Sequence, residues 1–308
     1  VRESLGITRS GPGPVGEPGV SVCFRADLGD VLGGRAFNLC RIDHPAATGA
    51  LASVDGRYRW VFMTGAPPGA DPATRDWPAV LRNAIGAPVP DLEVVDVLAW
   101  RPESLVADRF GVGRVFLVGD AAHVMPPWAA MGANTGIADA HGLGWMLATV
   151  LHGEAGPALL DAHDAERRPA AVFVADQSTR RAGRVHGPDA APDPALADPF
   201  VLAAGGTQYL AGAVRHGGRP DPEPVTTFAP AGRVGTRVPH RRLPGGRSTL
   251  DLAGPGWAVL TGDDGGADFL GPRECVLLRP DGVVAWRGDD PAAAWRVRAE
   301  LLAAGAGD

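Results

Sequence analysis

Residues 113–145 constrain the fold more than any other stretch of this 308-residue chain. The apolar run Arg114-Val115-Phe116-Leu117-Val118 is too short for a helix and has the texture of a strand covered on both faces. It ends in Gly119-Asp120-Ala121-Ala122-His123, and Met125-Pro126-Pro127 bars a helix directly afterwards. Met131-Gly132-Ala133-Asn134 then reads as a loop feeding a helix over 135–151, along which Ile137, Ala140, Leu143, Leu147 and Leu151 recur at three- or four-residue spacing. Gly153 stops that helix. In open α/β sheets, ligands bind just outside the carboxyl ends of strands, which is where Asp120 falls. An ionised carboxylate there suits a sugar or sugar-alcohol hydroxyl, and the free N–H groups of the helix start suit an electron-rich oxygen. In the plain structural reading Asp120 caps a turn and the glycines only bend the chain. Spacing alone does not separate the two.

The first hundred residues read mostly as β-structure. Val20-Ser21-Val22-Cys23-Phe24, Ala36-Phe37-Asn38-Leu39-Cys40-Arg41-Ile42 and Arg59-Trp60-Val61-Phe62-Met63-Thr64 are short β-branched or aromatic runs bounded by Gly, Pro and Asp. Val54-Asp55-Gly56-Arg57 places a hairpin turn ahead of the third run. A short helix is expected over 76–85, capped by Asp76 with Pro78 in its first turn, and a strand over 93–100. A second long helix spans 158–184, with Pro169 kinking or interrupting it. Its charged residues Asp161, Asp164, Glu166, Arg167 and Arg168 fit a solvated, ion-paired face. Residues 187–231 are rich in Pro, Gly and Asp and read as a linking region, with some helix around 200–204. The last section has strands at 257–261, 275–279 and 283–287, the last two joined at Pro280-Asp281-Gly282, then a helix over 291–304 capped by Asp290.

Composition removes several classes of function. The net charge of −6 argues against a large nucleic-acid-binding face, and no apolar run reaches the ~18 residues of a membrane span. Cys23, Cys40 and Cys275 are too few and too scattered for a disulfide framework or a zinc site, so no metal is expected. His141, His152 and His163 lie near the helix pair without matching carboxylate spacing. A cytoplasmic location is the expectation. All 29 basic residues are Arg, which rules out lysine Schiff-base chemistry and a P-loop lysine.

The segment 113–123, with Pro126-Pro127 and Gly132-Ala133-Asn134-Thr135-Gly136-Ile137-Ala138-Asp139-Ala140, resembles the second flavin motif of FAD-dependent aromatic hydroxylases. These are the monooxygenases built like para-hydroxybenzoate hydroxylase and phenol hydroxylase, and the texture is nearest the actinobacterial branch acting on aromatic polyketides. Ser104-Leu105-Val106-Ala107-Asp108-Arg109-Phe110, Glu166-Arg167-Arg168-Pro169, Gly235-Thr236-Arg237-Val238-Pro239-His240 and Arg279-Pro280-Asp281-Gly282 extend the likeness over almost the whole chain. The resemblance implies an antiparallel substrate-binding sheet over 1–110 and part of a flavin-binding α/β layer over 111–186. It also implies a linker over 187–231 and a thioredoxin-like C-terminal domain over 232–308. That last domain has no Cys-x-x-Cys, which leaves packing or dimerisation as its expected role. Gly119 and Asp120 would hold the ribityl chain of FAD, while Pro126, Gly132, Ala133 and Asn134 would line the isoalloxazine. NAD(P)H would be the reductant and the flavin would carry the oxygen chemistry.

The departures from that family are equally specific. Gly11-Pro12-Gly13-Pro14-Val15-Gly16 has glycine spacing but no preceding strand, and its prolines reject it as a dinucleotide fingerprint. The N-terminal half of the family is therefore expected to be absent, because the chain is a fragment, is completed by a partner chain, or is shortened. Trp128-Ala129-Ala130-Met131 stands where small residues and glycines are usual, and Gly142 and Met146 replace Asn and Lys. Phe37, Trp60, Trp100 and Trp128 are candidates to contact a planar substrate, although core packing is the commoner role for such residues. Arg35, Arg41 and Arg109 could meet substrate oxygens, with surface roles the commoner outcome. His123 is expected to act as a structural hydrogen-bonding group and not as a base. The expected function is an FAD-dependent monooxygenase acting on an aromatic polyketide or phenolic intermediate. The alternative is a flavin-free homologue acting as a polyketide cyclase, binding protein or partner subunit.

Overall fold

The computed structural model describes residues 1–66, 69, 71–182, 194–203, 207–217, 230–252, 254–264 and 267–303. The chain folds as two compact units, one of residues 1–13 and 103–308, the other of residues 14–102.

Strand β1 (Arg9–Pro14) runs through the glycine-proline segment, and Gly11 lets it pass close to its neighbour. A Cβ at Gly11 would lie 2.3 Å from the Ser104 carbonyl oxygen. The segment is thus a strand and not a phosphate loop.

The unit of residues 14–102 is built on one antiparallel sheet of order β3-β4-β5-β2-β6. It uses β2 (Gly19–Arg25), the one-turn helix α1 (Gly29–Leu32), β3 (Leu39–Ile42), β4 (Gly49–Ser53), β5 (Arg59–Gly65), α2 (Trp77–Ile85) and β6 (Glu93–Trp100). Alternation sorts the side chains by face. Val20, Val22, Phe24, Trp60 and Phe62 form one core face, on which Trp77, Val80 and Leu81 of α2 pack. As expected, Asp76 caps α2, its carboxylate accepting from the Ala79 N–H at 3.0 Å. At the β4–β5 turn, Asp55 Oδ1 accepts from the backbone N–H groups of Arg57, Tyr58 and Arg59. Those three bonds hold its carboxyl well below the usual range.

In the other unit, β7 (Glu103–Ala107) lies between β1 and β10 (His123–Val124). The apolar run at 114–118 departs from expectation. Only Val115–Phe116 is strand, β9, pairing with β8 (Gly111–Val112) in a two-stranded hairpin. Val115 is 38% exposed while Leu117 is 2% exposed, so the run is not a strand buried on both faces. Without a parallel neighbour among the described residues, only Leu117 of its apolar side chains is buried, while Phe116 and Val118 are half-buried.

Helix α3 (Met131–Leu151) begins four residues earlier than expected, so Met131-Gly132-Ala133-Asn134 forms its first turn and not a loop. Its buried stripe also differs. Thr135, Asp139, Leu143, Met146 and Thr149 are buried, whereas Ile137 and Leu151 are 67% and 81% exposed. Helix α4 (Asp161–Ala182) runs through Pro169 without interruption; the expected residues 183 and 184 lie outside the described residues. Asp161 is exposed and Arg168 pairs with Asp164 at 3.4 Å on the expected solvated face, but Glu166 and Arg167 depart from it, being 2% and 4% exposed. In the expected linking region, residues 187–193, 204–206 and 218–229 lie outside the described residues. The described part carries α5 (Pro199–Ala203) and is packed, with Ala197, Tyr209 and Ala213 buried.

The C-terminal section holds β11 (Ala258–Thr261), β12 (Cys275–Leu278) and β13 (Val284–Gly288) in one antiparallel sheet, followed by α6 (Pro291–Ala303). Leu277, Ala285 and Ala294 pack this helix on the sheet, and Asp290 caps it by accepting from the Ala292 N–H. The expected last residue of the helix, 304, lies outside the described residues.

An ion cluster ties this section to α4. Both carboxylate oxygens of Glu166 accept from Arg279, at 2.7 and 2.9 Å, and Arg279 also pairs with Asp281. The Ala213 N–H donates to Glu166, and Trp145 Nε1 donates to Asp281. Burial pushes the Glu166 carboxyl upward against the pull of Arg279, and the two carboxylates together hold Arg279 firmly protonated. Arg279→Met strands two buried carboxylates and should cost about 3–5 kcal/mol. The measurement is chemical denaturation of both proteins; a loss under about 1 kcal/mol, the scale of an exposed pair, would contradict this role.

Candidate functional site

The Gly-Asp-Ala-Ala-His motif is a 3-10 turn, Gly119–Ala121, placed against the first turns of α3. Gly119 has φ of +57°, a left-handed conformation that favours glycine. A Cβ at Gly136 would lie 3.0 Å from the Gly119 Cα, so glycine at 136 is what allows the turn and the helix to touch.

Asp139, on α3 and fully buried, holds this contact in place. Its Oδ2 accepts from the Gly119 N–H at 3.1 Å and from His123 Nε2 at 2.7 Å. Its Oδ1 accepts from Arg167 Nε at 2.9 Å. Arg167 continues to the Tyr209 hydroxyl at 2.8 Å and the Thr135 carbonyl at 3.3 Å. Burial opposes ionisation of Asp139, but the His123 hydrogen bond and the Arg167 charge outweigh it and hold its carboxyl below the usual range. His123 is 1% exposed, and its Nδ1 has no partner among the described residues. With Nε2 committed to Asp139, His123 is a structural donor, as sequence analysis expects.

The two carboxylates of the motif region are therefore opposites. Asp120 is exposed and its side chain makes no hydrogen bond or ion pair to any described residue, so its acceptor capacity is free. A cavity of about 300 Å³ lies alongside α3, lined by Asn134, Thr135, His141, Arg167, Tyr209 and Asp281 among others. Asp120 does not line it, so its carboxylate opens to solvent and not into that cavity.

The start of α3 is open as well. Ala130 precedes it with φ of +53°, and no side chain caps the helix, which leaves the first N–H groups without an intrahelical partner. Asn134 Nδ2 donates to the Ala130 carbonyl at 3.0 Å and steadies the entry. Gly132 is half-buried, while Ala133 and Asn134 are exposed. Pro126 is buried, and half-buried Trp128 begins a 3-10 turn, Trp128–Ala130, whose Trp128 carbonyl accepts from Ser178 on α4. Gly132, Ala133 and Asn134, expected as cofactor contacts, thus form the first turn of α3, with Trp128, expected as a substrate contact, in the turn directly before it.

The candidate substrate contacts fall in different surroundings. Trp60 is 1% exposed, donates Nε1 to the Ala26 carbonyl and fills the sheet's core face, with Phe37 tilted against it at 5.9 Å. Trp100 lies on the opposite face of that sheet, its Nε1 donating to the Ser21 hydroxyl at 2.9 Å. Arg35 folds back onto the Leu32 carbonyl, Arg41 approaches Asp43 at 3.7 Å, and Arg109 is exposed. His163 donates Nε2 to the Leu117 carbonyl, and burial lowers its pKa. Among the described residues no His, Cys, Asp and Glu group could hold a metal ion, and no helix is long and apolar enough to cross a membrane.

Antiparallel sheets with an acidic turn set on the start of a long helix define a mixed α/β fold of the kind found in FAD-dependent monooxygenases. The chain belongs to the FAD binding domain family, which it matches over residues 1–178. It is 39% identical over 335 residues to tetracenomycin B2 monooxygenase-dioxygenase of Streptomyces olivaceus, covering 95% of this chain and 61% of that protein. Tetracenomycin A2 monooxygenase-dioxygenase of Streptomyces glaucescens is 37% identical over 342 residues, covering 94% of this chain and 60% of that protein. The crystal structure of a ternary complex of aklavinone-11 hydroxylase with FAD and aklavinone superposes with a TM-score of 0.79 at 32% identity, over 97% of this chain and 64% of that one. The chain thus spans about three fifths of the length of the relatives it matches.

The ionised state of Asp139 gives this region a defined pH response. Its folded pKa is depressed, so its contribution is present above the unfolded value of about 4 and is lost as pH falls through the lower folded value. Thermal melts between roughly pH 6 and 2 should show a steep acid decline that is shallower in Asp139→Asn. Parallel declines in both proteins would rule this contribution out.

Proposed function

We propose that this chain is the substrate-binding and second-flavin-motif portion of an FAD-dependent monooxygenase that acts on an aromatic polyketide or a related phenolic compound. Family membership and the two tetracenomycin relatives support the reaction class. The observation that carries the reading is the pairing of an unengaged Asp120 carboxylate with the uncapped start of α3, clamped together through Gly119, Gly136 and Asp139.

These residues fit FAD by the chemistry of their donors and acceptors. Asp120 would accept from ribityl hydroxyls, and Gly119 would let the backbone approach closely. The free N–H groups at Gly132 and Ala133, at the positive end of a 21-residue helix, would donate to electron-rich oxygens of the ring. Asn134 and Pro126 would fix the wall around them. Bound flavin, reduced by NAD(P)H, supplies the oxygen chemistry. The protein's share is to bind the ring, hold the substrate and exclude water, and no protein acid or base dominates this reading. His123 contributes by fixing Asp139 and moves no proton.

Within the same reading, residues 1–110 form the substrate-binding section, 111–186 the flavin-motif section and 187–231 a connection. Residues 232–308 form a thioredoxin-like domain, supported by the antiparallel β11-β12-β13 sheet with α6 packed on it. Of the four aromatic candidates, Trp100 and Trp128 are half-buried and belong to no core cluster, and each is proposed as a contact to a planar ligand. Phe37 and Trp60 support the sheet from its core face. A homodimer, or a second chain bringing further FAD contacts, also fits this reading.

The decisive measurement is flavin retention by the purified chain, read from its absorbance and from titration with FAD. Asp120→Ala should weaken FAD binding about tenfold, the scale of a lost charge-assisted hydrogen bond, with the melting temperature unchanged. Unchanged FAD affinity would overturn the assignment of Asp120. Trp128→Gly should raise occupancy if the indole obstructs the ring and lower it if the indole stacks on it. A chain that stays colourless at saturating FAD, yet binds a polyketide, would replace this reading with the flavin-free one.

A further inference from the structure

The unit of residues 14–102 contains a cleft of about 680 Å³ at the end of its sheet where β3 is the edge strand. Leu28 and Leu51, 1% and 6% exposed, form its floor and belong to the sheet's core cluster. Phe37, Ile42, Ala84 and Ile85 supply the walls, and the contact of Phe37 with buried Trp60 fixes one of them. Leu51 pairs across the sheet with Cys40 and Phe62, which places the cleft on the face that α2 covers. Trp100 and Ser21 lie on the opposite face. The cleft is therefore distinct from the face that the proposed function assigns to substrate.

Packed interiors hold few voids larger than a water molecule, and ligand pockets run to several hundred Å³ with mostly apolar linings. This cleft meets the second description. Its charge is one-sided: of the described residues that line it, Arg35 and Arg41 alone are charged, and none is a carboxylate. Arg35 is steadied by donating Nε to the Leu32 carbonyl at 2.9 Å, and its guanidinium is in no ion pair among the described residues. Arg41 meets Asp43 only at 3.7 Å, between side chains 69% and 78% exposed, where pairing in water is weak.

We infer that this cleft is a binding site for a small organic anion with a flat apolar body. The body would lie against Phe37, Leu51 and Ile85, and a carboxylate, phenolate or sulfonate would meet Arg35. The site stands independently of the flavin reading, because none of its residues belongs to the α3 start.

The test titrates the full chain with anilinonaphthalene sulfonate and with uncharged phenylnaphthylamine, following dye fluorescence. Both dyes should fill one saturable site per chain. Ala84→Phe, which fills the cleft from α2, should weaken both by roughly tenfold or more. Ala36→Trp, at an exposed position on the rim, is a second filling variant that leaves the core alone and should act in the same direction. Arg35→Gln should weaken the sulfonate dye roughly fivefold to tenfold and leave the uncharged dye unchanged. Thermal melts establish that each variant is folded. Non-saturable binding overturns the inference, as does binding that survives both filling variants or is abolished instead by Trp100→Ala. Equal loss of both dyes in Arg35→Gln overturns it as well.

Discussion

The motif region depends on one buried carboxylate. Asp139 receives a backbone N–H from the Gly119 turn, an imidazole from the strand after it and a guanidinium from α4. An ion taken out of water at that depth is tolerable only with its acceptor sites filled, and here three separate elements fill them. The consequence is geometric. The turn can rest on α3 because Gly119 and Gly136 present no side chains to each other, and Asp139 keeps them from drifting apart. A short Gly-rich motif thereby acquires a fixed position without a large apolar core of its own.

Arg167 and Glu166 are neighbours on α4, yet they serve different networks. Arg167 turns toward Asp139 and the motif, while Glu166 turns toward Arg279 and the turn at 280–282. Tyr209 lies between them, its hydroxyl accepting from Arg167 and its ring 5.5 Å from the Arg279 guanidinium. The C-terminal section is thus joined to the motif through adjacent residues of one helix. Buried ion pairs are weak contributors to net stability compared with apolar packing, but their geometry is strict, and they set the register of the pieces they connect.

Much of the fold was legible because its signals are local. The alternation in Val20-Ser21-Val22-Cys23-Phe24, the Asp76 and Asp290 caps and the Pro280-Asp281-Gly282 turn each encode an element within a few residues. What stayed hidden depends on tertiary partners. Strand β4 is Gly-Ala-Leu-Ala-Ser, without a β-branched residue, and exists because β3 and β5 flank it. The run 114–118 has the composition of a doubly covered strand, but composition does not supply neighbours, and it forms only a short hairpin. On α3 the apolar residues Ile137 and Leu151 attract the eye, whereas the buried stripe is written in Thr135, Asp139, Leu143 and Thr149. Glu166 and Arg167 read as surface charges because their partners lie 113 and 28 residues away. One signal was available: Asp139 sits four residues after Thr135 and four before Leu143, a carboxylate on an otherwise uncharged helical stripe.

The division between Asp139 and Asp120 also explains how one short motif can both fold and remain open to a ligand. A carboxylate offers about four acceptor sites. Asp139 spends three of them on internal donors, so it is bound to the scaffold and has little left for anything else. Asp120 follows Gly119 directly, so its backbone is fixed by the Asp139 contact while its side chain meets no internal donor among the described residues. A residue whose position is set by one carboxylate, and whose own carboxylate is unspent, is pre-organised at little entropic cost to itself. The same logic holds at the start of α3, where Asn134 commits its amide to the Ala130 carbonyl and leaves the N–H groups of Gly132 and Ala133 without a cap. The polar groups left unengaged in this region are ones that the folding network positions and does not use.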